Sequence, residues 1–178
     1  MQDDFSKLSE DLCIVDVDQQ LMQVNCKNGF HKVFSISTAI NGINNKINSN
    51  GTPIGKHKIC EKIGDNALLY SIFKARENTG EICRDLNQNS DQDLILTRIL
   101  RLIGDEPGIN KDLDPSGICV DSYKRYIYIH GTNREDLLGK IASKGCIRMG
   151  NQDIVELFNN IEIGAVVYIV KSQNKLSI

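Results

Sequence analysis

The sequence contains no Trp and no long apolar run. With only 5 Tyr and 5 Phe among 178 residues, it lacks the aromatic platforms on which proteins stack single-stranded nucleic acid. A membrane-spanning helix needs ~20 consecutive apolar residues, and no segment approaches that length. Lys and Arg number 21 and Asp and Glu 23, so the net charge is −2. Because there is no excess of positive charge, we expect neither nucleic acid nor a membrane as a partner.

A secretory signal is also missing from the N-terminus. The chain begins MQDDFSKLSEDL, which is acidic and polar, whereas a signal peptide has a basic segment followed by an apolar one. If Met1 is the natural start, the sequence predicts a cytoplasmic protein. If a signal has been removed, a periplasmic or cell-wall location is expected instead.

The cysteines lack the Cys-x-x-Cys spacing of zinc ribbons and iron–sulfur sites. Successive cysteines are 13, 34, 23, 36 and 27 positions apart, and nothing in the sequence requires a metal or an organic cofactor. Six cysteines would allow three disulfides in an exported protein, but a free cysteine is more often a small buried apolar side chain. We expect that buried role for Cys13, Cys26, Cys60, Cys83 and Cys119.

The length and composition predict a single, mainly β (α+β) domain. Hydrophobic residues make up 40% and charged residues 25% of the chain, which is ordinary for one globular domain. Short apolar segments alternate with turn signals such as Asn28-Gly29, a pattern typical of antiparallel hairpins. Strands are predicted at 12–17, 21–26, 31–40, 123–129 and 165–170, and short helices at 135–142 and 152–159, with Thr132 or Asn133 and Asn151 as their caps.

The predicted domain extends from residue 12 to residue 170, with tails at 1–11 and 171–178. Within it, residues 77–93 are polar and are interpreted as a surface insertion or lid. The segment 93–103, DLILTRILRLI, fits both one face of a helix and a strand that is buried on both faces.

One segment combines residue types that support nucleophilic catalysis. His130 and Gly131 stand at the end of a predicted strand, and Cys146 follows 16 positions after His130. A free thiol has a pKa near ~8.5, so at neutral pH a neighbouring imidazole must take its proton to release the nucleophile. The carbonyl of Gly131 is suited to holding the imidazole in one orientation. By itself, one Cys and one His at this spacing are a weak indication.

Residues beside Cys146 extend this hypothesis. Gly145 allows the backbone to approach a substrate closely, and the amides of Gly145 and Cys146 are candidates for an oxyanion hole. Arg148 offers a planar donor fork that suits a carboxylate. The other histidines, His31 and His57, have no companion of this kind and are interpreted as a strand-face residue and a surface-loop residue.

The segment from His130 to Met149 resembles the signature of the L,D-transpeptidase (YkuD-type) family. That family has His-Gly at a strand end, a gap, then Ser/Thr-x-Gly-Cys followed by an apolar residue and Arg or Asn. The chain has HGT at 130–132, SKGCIRM at 143–149, NQDIVELF at 151–158 and an upstream turn TPIG at 52–55. The resemblance extends from about residue 12 to residue 169 and is weakest at 77–93. It implies an L,D-transpeptidase-like β-sandwich and favours a strand for 93–103.

The resemblance implies a role for each residue of the motif. Cys146 is the nucleophile, His130 is the general base and later the acid, and the Gly131 carbonyl orients the imidazole. Further residues implied at the oxyanion hole or the substrate are Ser143, Lys144, Gly145 and Arg148. Lys144 departs from the family, which often has a second His there. A lysine at this position can bind a substrate carboxylate or favour the thiolate, but is no acid or base at neutral pH without a strongly lowered pKa.

The implied substrate is a peptidoglycan tetrapeptide or muropeptide. Family enzymes attack the bond between the L-centre of the diamino acid and the terminal D-alanine, and form a thioester on the Cys. An amine acceptor makes the reaction an L,D-transpeptidation, whereas water makes it an L,D-carboxypeptidation that trims tetrapeptide to tripeptide, as in recycling. A non-catalytic muropeptide-binding module is the third hypothesis; it predicts loss of Cys146 or His130, and both are present.

Overall fold

Residues 9–87 and 93–172 are described by the computed structural model. Within these ranges the chain forms ten strands, one α-helix and a short 3-10 helix at Glu135–Leu137. The strands are β1 Leu12–Asp16, β2 Leu21–Asn25, β3 His31–Ser37, β4 Gly55–Ile63, β5 Ser71–Lys74, β6 Glu77–Ile82, β7 Ile95–Gly104, β8 Tyr128–Thr132, β9 Ile147–Met149 and β10 Val166–Val170, and the helix is α1 Asn151–Asn160. No helix in the described ranges is long and apolar enough to cross a membrane.

The strands form one sheet that closes on itself. Their order is β4-β10-β1-β2-β3-β9-β8-β7-β5-β6, and β4 also pairs with β7. The sheet therefore forms a barrel-like ring from β4 to β7, and the β5–β6 hairpin extends from β7. Two pairs, β1–β10 and β8–β9, are parallel. The mainly β fold is confirmed, and the closed sheet fits the expected β-sandwich approximately.

Alternating burial along the strands builds the core. In β1 and β2 the inward positions Cys13, Val15, Met22 and Val24 are fully buried, as the period of two in a strand requires. The helix α1 covers this core with one face that includes Leu157. Full burial of each large apolar side chain contributes about 1.5–3 kcal/mol, so these elements fix the frame on which the site is built.

The segment 93–103 is confirmed as a strand. β7 pairs with β4, β5 and β8, and eight of its ten residues are buried. Because both faces of the strand are covered, its sequence is apolar nearly throughout and carries no period that separates strand from helix.

The helix predicted at 135–142 is wrong beyond its first turn. Only Glu135–Leu137 is helical, because the following backbone groups bond to β3 and its extension instead of to each other. Gly139 N–H donates to Ile36 O (2.8 Å), and the N–H groups of Ala142 and Ser143 donate to Thr38 O. The helix predicted at 152–159 is confirmed, and it begins one residue earlier with Gly150 as the N-cap.

The strand predicted at 123–129 begins only at Tyr128. The residues before it form a turn, in which Arg125 N–H donates to Asp121 O (3.0 Å) and Ile127 N–H donates to Ser122 O (3.1 Å). Tyr126 has a φ of +56°, which a strand does not allow. The tyrosine-rich composition thus marks a turn at the site rather than more of the sheet.

The polar stretch 77–93 is not all loop. Glu77–Ile82 is strand β6, exposed at every position, and it pairs with β5 through the backbone. Since neither face of β6 is buried, the sequence shows no apolar alternation there. Residues 88–92 lie outside the described residues, as do 1–8 and 173–178 of the predicted tails.

Each of the six cysteines is a free thiol. Cys13, Cys26 and Cys83 are buried as expected, whereas Cys60 and Cys119 are only partly buried. The surface-loop interpretation of His57 is wrong, because this residue is fully buried within β4, where its Nε2 lies 2.9 Å from Ser122 Oγ.

Candidate active site

The parallel pair β8–β9 brings His130 and Cys146 to one face of the sheet. His130 is in register with Arg148 on β9 and with Ile99 on β7. Cys146, which immediately precedes β9, packs against a small apolar cluster of Phe73, Ile99 and Tyr128. Ile99 shares the face of its partner His130, and the thiol therefore lies on the same side of the sheet as the imidazole.

The His130 ring is held in one orientation. Its Nδ1 lies 2.7 Å from the carbonyl oxygen of Gly131, which places the proton on Nδ1 and leaves Nε2 as the acceptor. The side chain is 2% exposed. Burial lowers the pKa of His130, partly opposed by the Gly131 hydrogen bond. The imidazole is therefore neutral at neutral pH, and its Nε2 is the nitrogen able to accept a proton.

Cys146 is a neutral thiol in the resting protein. Its Sγ donates to the carbonyl oxygen of Tyr126 (3.4 Å). Burial raises the pKa of Cys146 to about 11; a hydrogen bond with the Tyr128 backbone opposes this rise most, Asp93 adds to it, and Arg148 and Arg125 oppose it further. Very little thiolate exists at pH 7 under these conditions, so a reaction at this sulfur would require a neighbouring group to take the thiol proton.

A tight turn carries Cys146. Ser143 Oγ donates to the Cys146 carbonyl oxygen (2.5 Å) and accepts a hydrogen bond from Gly145 N–H (3.3 Å). Gly145 has a φ of +127°, and a Cβ there would lie 3.3 Å from Gly51 O, so a side chain would be strained. Ser143 is 1% exposed, and its hydroxyl is directed into this turn.

The two amides predicted for an oxyanion hole differ in their partners. The N–H of Gly145 is bonded to Ser143 Oγ. Within residues 9–87 and 93–172, the N–H of Cys146 donates to no protein group. Of the two, the Cys146 amide is thus the donor that is free to meet a developing negative charge.

Arg148 is engaged within the protein. Its Nη2 lies 2.6 Å from an oxygen of Asp93, and the Arg148 side chain is 5% exposed. The pair lies beside both His130 and Cys146, since its charges act on the pKa of each. Arg148 therefore lies buried behind the site with its charge paired to Asp93. Lys144, by contrast, is exposed at the edge of the site.

The family is shown by a match over most of the chain. The profile of the YkuD L,D-transpeptidase catalytic domain matches residues 10–169. The chain belongs to this family.

Two bacterial relatives carry L,D-transpeptidase in their names. YqjB of Bacillus subtilis is 56% identical over 41 residues, which is 23% of this chain and 23% of YqjB. YkuD of Bacillus subtilis is 40% identical over 65 residues, which is 34% of this chain and 40% of YkuD. In both comparisons the matched segment spans less than half the length of the relative.

Solved L,D-transpeptidases share the fold. L,D-transpeptidase 3 from Mycobacterium tuberculosis, in complex with a faropenem-derived adduct, has a TM-score of 0.54 at 16% identity, over 91% of this chain and 60% of that chain. An L,D-transpeptidase from Mycobacterium smegmatis has a TM-score of 0.51 at 15% identity, over 90% and 58%. At these identities the likeness concerns the fold alone, and the chain spans about three fifths of each structure.

Behind the His-Gly motif of this L,D-transpeptidase-family domain lies a buried polar cluster that the sequence does not reveal. Asn151 Nδ2 donates to Thr132 O and to Glu135 Oε1 (both 2.7 Å), and Thr97 Oγ1 donates to Asn151 Oδ1 (2.6 Å). A Cβ on Gly131 would lie 2.5 Å from Asn151 Oδ1, so only glycine fits there. Asn151, expected as a helix cap, instead fastens α1 to strand β8.

Two arginines complete the surroundings of the thiol in this L,D-transpeptidase-family domain. Arg76, in the turn of the β5–β6 hairpin, lies over the Tyr126 ring (5.1 Å to its centroid), and its Nη1 donates to the Tyr128 hydroxyl (3.3 Å). Arg125 Nη2 donates to Gly51 O (2.7 Å). Neither was identified from the sequence, because Arg76 precedes the polar stretch 77–93 and Arg125 lies in a predicted strand, and neither local pattern indicates that these residues lie near Cys146.

Proposed function

We propose that this domain is a cysteine-dependent acyltransferase that acts on peptidoglycan stem peptides. Cys146 attacks the L,D bond before the terminal D-alanine of a tetrapeptide, forms a thioester and passes the acyl group to an amine, which is L,D-transpeptidation. The observation that carries this proposal is the placement of Cys146 on the His130 face of the β8–β9 pair. Family membership supports the same chemistry.

Acylation begins from two neutral groups. As Sγ of Cys146 attacks the carbonyl carbon, Nε2 of His130 takes the thiol proton, because the raised thiol pKa and the lowered imidazole pKa leave both uncharged beforehand. A C–S bond forms, and the N–H of Cys146 donates to the resulting oxyanion. The intermediate then collapses: the C–N bond breaks, and His130 gives its proton to the nitrogen of the departing D-alanine.

Deacylation runs through the same groups. An amine attacks the thioester carbon while His130 Nε2 accepts a proton from it, and the second tetrahedral intermediate again places its oxyanion at the Cys146 amide. The C–S bond breaks, and His130 returns the proton to the sulfur. Water in place of the amine would give the tripeptide by the same steps.

The experiment is mass analysis of a disaccharide-tetrapeptide incubated with the protein, with and without a D-amino acid. Exchange of D-alanine for the added amino acid, together with an acyl adduct on the intact protein, supports the proposal. Tripeptide alone, even with the amine present, replaces transpeptidation by L,D-carboxypeptidation. If neither product nor adduct forms while the muropeptide still binds, catalysis is refuted and the domain is a binding module.

A further inference from the structure

A cavity of about 260 Å³ opens next to Tyr126 and Lys144. One wall is the turn before β8, and the other is the loop 47–50. Tyr126 joins the cavity to the site, because it lines the cavity and its carbonyl oxygen accepts the Cys146 thiol. Lys144, two positions before Cys146, lines it as well. The polar residues around the cavity are Asn48, Asn50, Lys124, Arg125, Tyr126 and Lys144.

The charges lining this cavity are all positive. Lys124, Arg125 and Lys144 line it without an Asp or Glu. Over the described residues, none of these three cations forms an ion pair. By contrast, Lys32 and Lys56 elsewhere on the surface pair with carboxylates at 2.5 and 3.1 Å. The cavity therefore concentrates uncompensated positive charge on a chain whose net charge is −2.

Arg125 supplies a fixed part of this charge. Its guanidinium is satisfied by neutral groups, donating to Asn45 O (2.9 Å), Ser49 Oγ (3.2 Å) and Gly51 O (2.7 Å). It is close enough to Cys146 to lower the pKa of that thiol. Lys124 and Lys144 line the cavity and are exposed, so their ammonium groups can reach an anion as point charges.

We propose that this cavity binds the free carboxylate of the C-terminal residue of the donor peptide, with Lys124 and Lys144 as its direct ligands and the half-buried Arg125 as a further positive charge in its lining. This inference rests on the proposed function. The terminal carboxylate belongs to the residue directly after the bond that is cleaved. Since consecutive Cα atoms are ~3.8 Å apart, a carbonyl positioned at Cys146 brings that carboxylate within one residue of the sulfur, where the cavity lies. The enzyme thereby selects the last peptide bond of the stem.

The test compares two tetrapeptide stems that differ only at the C-terminus, one ending in a D-alanine carboxylate and one in its carboxamide. We measure kcat/KM of both for the wild type and for the Lys124→Gln/Lys144→Gln double variant. The acid-to-amide ratio is expected to fall about tenfold or more, as for loss of a charged hydrogen bond. D-Alanine and D-alanine amide differ as leaving groups, but this difference is the same for the wild type and the variant, so it cancels when their acid-to-amide ratios are compared. The matched control Lys140→Gln removes an exposed charge outside the cavity and leaves the ratio unchanged.

Charge-preserving replacements and a binding measurement sharpen the test. The Lys124→Arg/Lys144→Arg double variant keeps both positive charges. It should therefore retain most of the acid-to-amide ratio of kcat/KM if the cavity acts through charge. Calorimetry on Cys146→Ala, with and without the two Lys→Gln changes, measures the affinity for both peptides without turnover. Tighter binding of the acid that disappears with the lysines supports the cavity assignment.

Failure of this inference is distinguishable from failure of the proposed function. If the wild type turns over both peptides and the double variant keeps the same ratio, the carboxylate assignment is overturned while the acyltransferase stands. If the wild type turns over neither peptide but Cys146→Ala binds the acid through the lysines, the acyltransferase is overturned and the carboxylate cavity remains. Equal affinity of Cys146→Ala for acid and amide overturns the cavity in either case.

Discussion

The hydroxyl of Thr52 donates a hydrogen bond to the carbonyl oxygen of Gly145 at 3.0 Å. The hydroxyl oxygen of Thr52 in turn accepts the N–H of Ala39 at 2.9 Å, and Thr52 is 1% exposed. The peptide between Gly145 and Cys146 is planar, with its C=O and N–H pointing in opposite directions. By fixing the carbonyl, Thr52 therefore aims the Cys146 N–H away from itself, which suits the proposed role of this amide as the oxyanion donor.

Replacing Thr52 with Val keeps the shape of the side chain and removes both hydrogen bonds. We expect kcat/KM to fall ~10- to 100-fold, because the oxyanion donor is no longer held in place. The free energy of unfolding should fall by about 1–3 kcal/mol, because the Ala39 N–H loses its partner. Urea unfolding and steady-state kinetics measure the two effects.

The conservative variant separates positioning from stability. Thr52→Ser retains the hydroxyl and should recover most of kcat/KM even where its stability is reduced. If Thr52→Val lowers stability but leaves kcat unchanged, Thr52 has a structural role only and does not position the amide.

Replacing Cys146 with Ala should abolish turnover and leave the fold intact. The side chain is the proposed nucleophile and the site of the thioester, and its truncation removes only one sulfur from a partly exposed position. Cys119→Ala is the matched control: it is also partly buried, and its thiol also acts on the charge of Arg125. Intact-protein mass after incubation with tetrapeptide should show an adduct on the wild type and the control. Full activity of Cys146→Ala would refute the assignment.

His130 should determine the acid side of the pH profile. The base must be neutral to take the thiol proton, and burial lowers the pKa of His130. Activity should therefore persist at mildly acidic pH and decline only below the ordinary imidazole value of ~6.5. We would measure kcat/KM between pH 4 and pH 8 and confirm folding at each pH. An acid limb at or above pH 6.5 would contradict the buried, neutral imidazole.

His130→Ala tests the same residue at fixed pH. A thiol with its pKa raised to about 11 has almost no thiolate at pH 7, so loss of the base should reduce kcat by at least ~10². A nearly normal rate would mean that another group activates Cys146.

Short-range patterns in the sequence account for much of the fold. Alternating apolar residues and the Asn28-Gly29 turn signal predict the β1–β2–β3 meander, and β2 and β3 indeed pair in antiparallel register. The spacing of apolar residues predicts α1 to within one residue at each end. The motif resemblance singles out His130 and Cys146, which the structure places on one face.

What the sequence does not reveal depends on partners far along the chain. Thr52 and Gly145 are 93 positions apart, and neither local pattern indicates the other. The segment before β8 has strand-like composition, but Asp121 binds the backbone N–H of Lys124 and closes a turn there. That turn brings Arg125 to the cavity, so the residues missed from the sequence are those that long-range contacts place at the site.

The burial of His57 is likewise not evident from the sequence, since its side chain is bonded to a residue 65 positions away. It is fully buried in β4, where Nε2 lies 2.9 Å from Ser122 Oγ and Nδ1 lies 3.0 Å from Gly55 O. Burial lowers the pKa of His57 to about 4, against an ordinary value of 6.5. Both ring nitrogens are used by neutral partners, so the folded protein disfavours the charged ring.

The lowered pKa of His57 should make the fold sensitive to acid. Between pH 6.5 and pH 4 the unfolded chain binds a proton at this residue that the folded protein does not, so stability is complete above pH 6.5 and falls as the pH falls. The shift corresponds to about 3 kcal/mol lost by pH 4. Urea unfolding at pH 7 and pH 4 measures this loss in the wild type and in His57→Gln, which cannot titrate. Because all other groups are shared, equal losses in the two proteins would contradict the prediction.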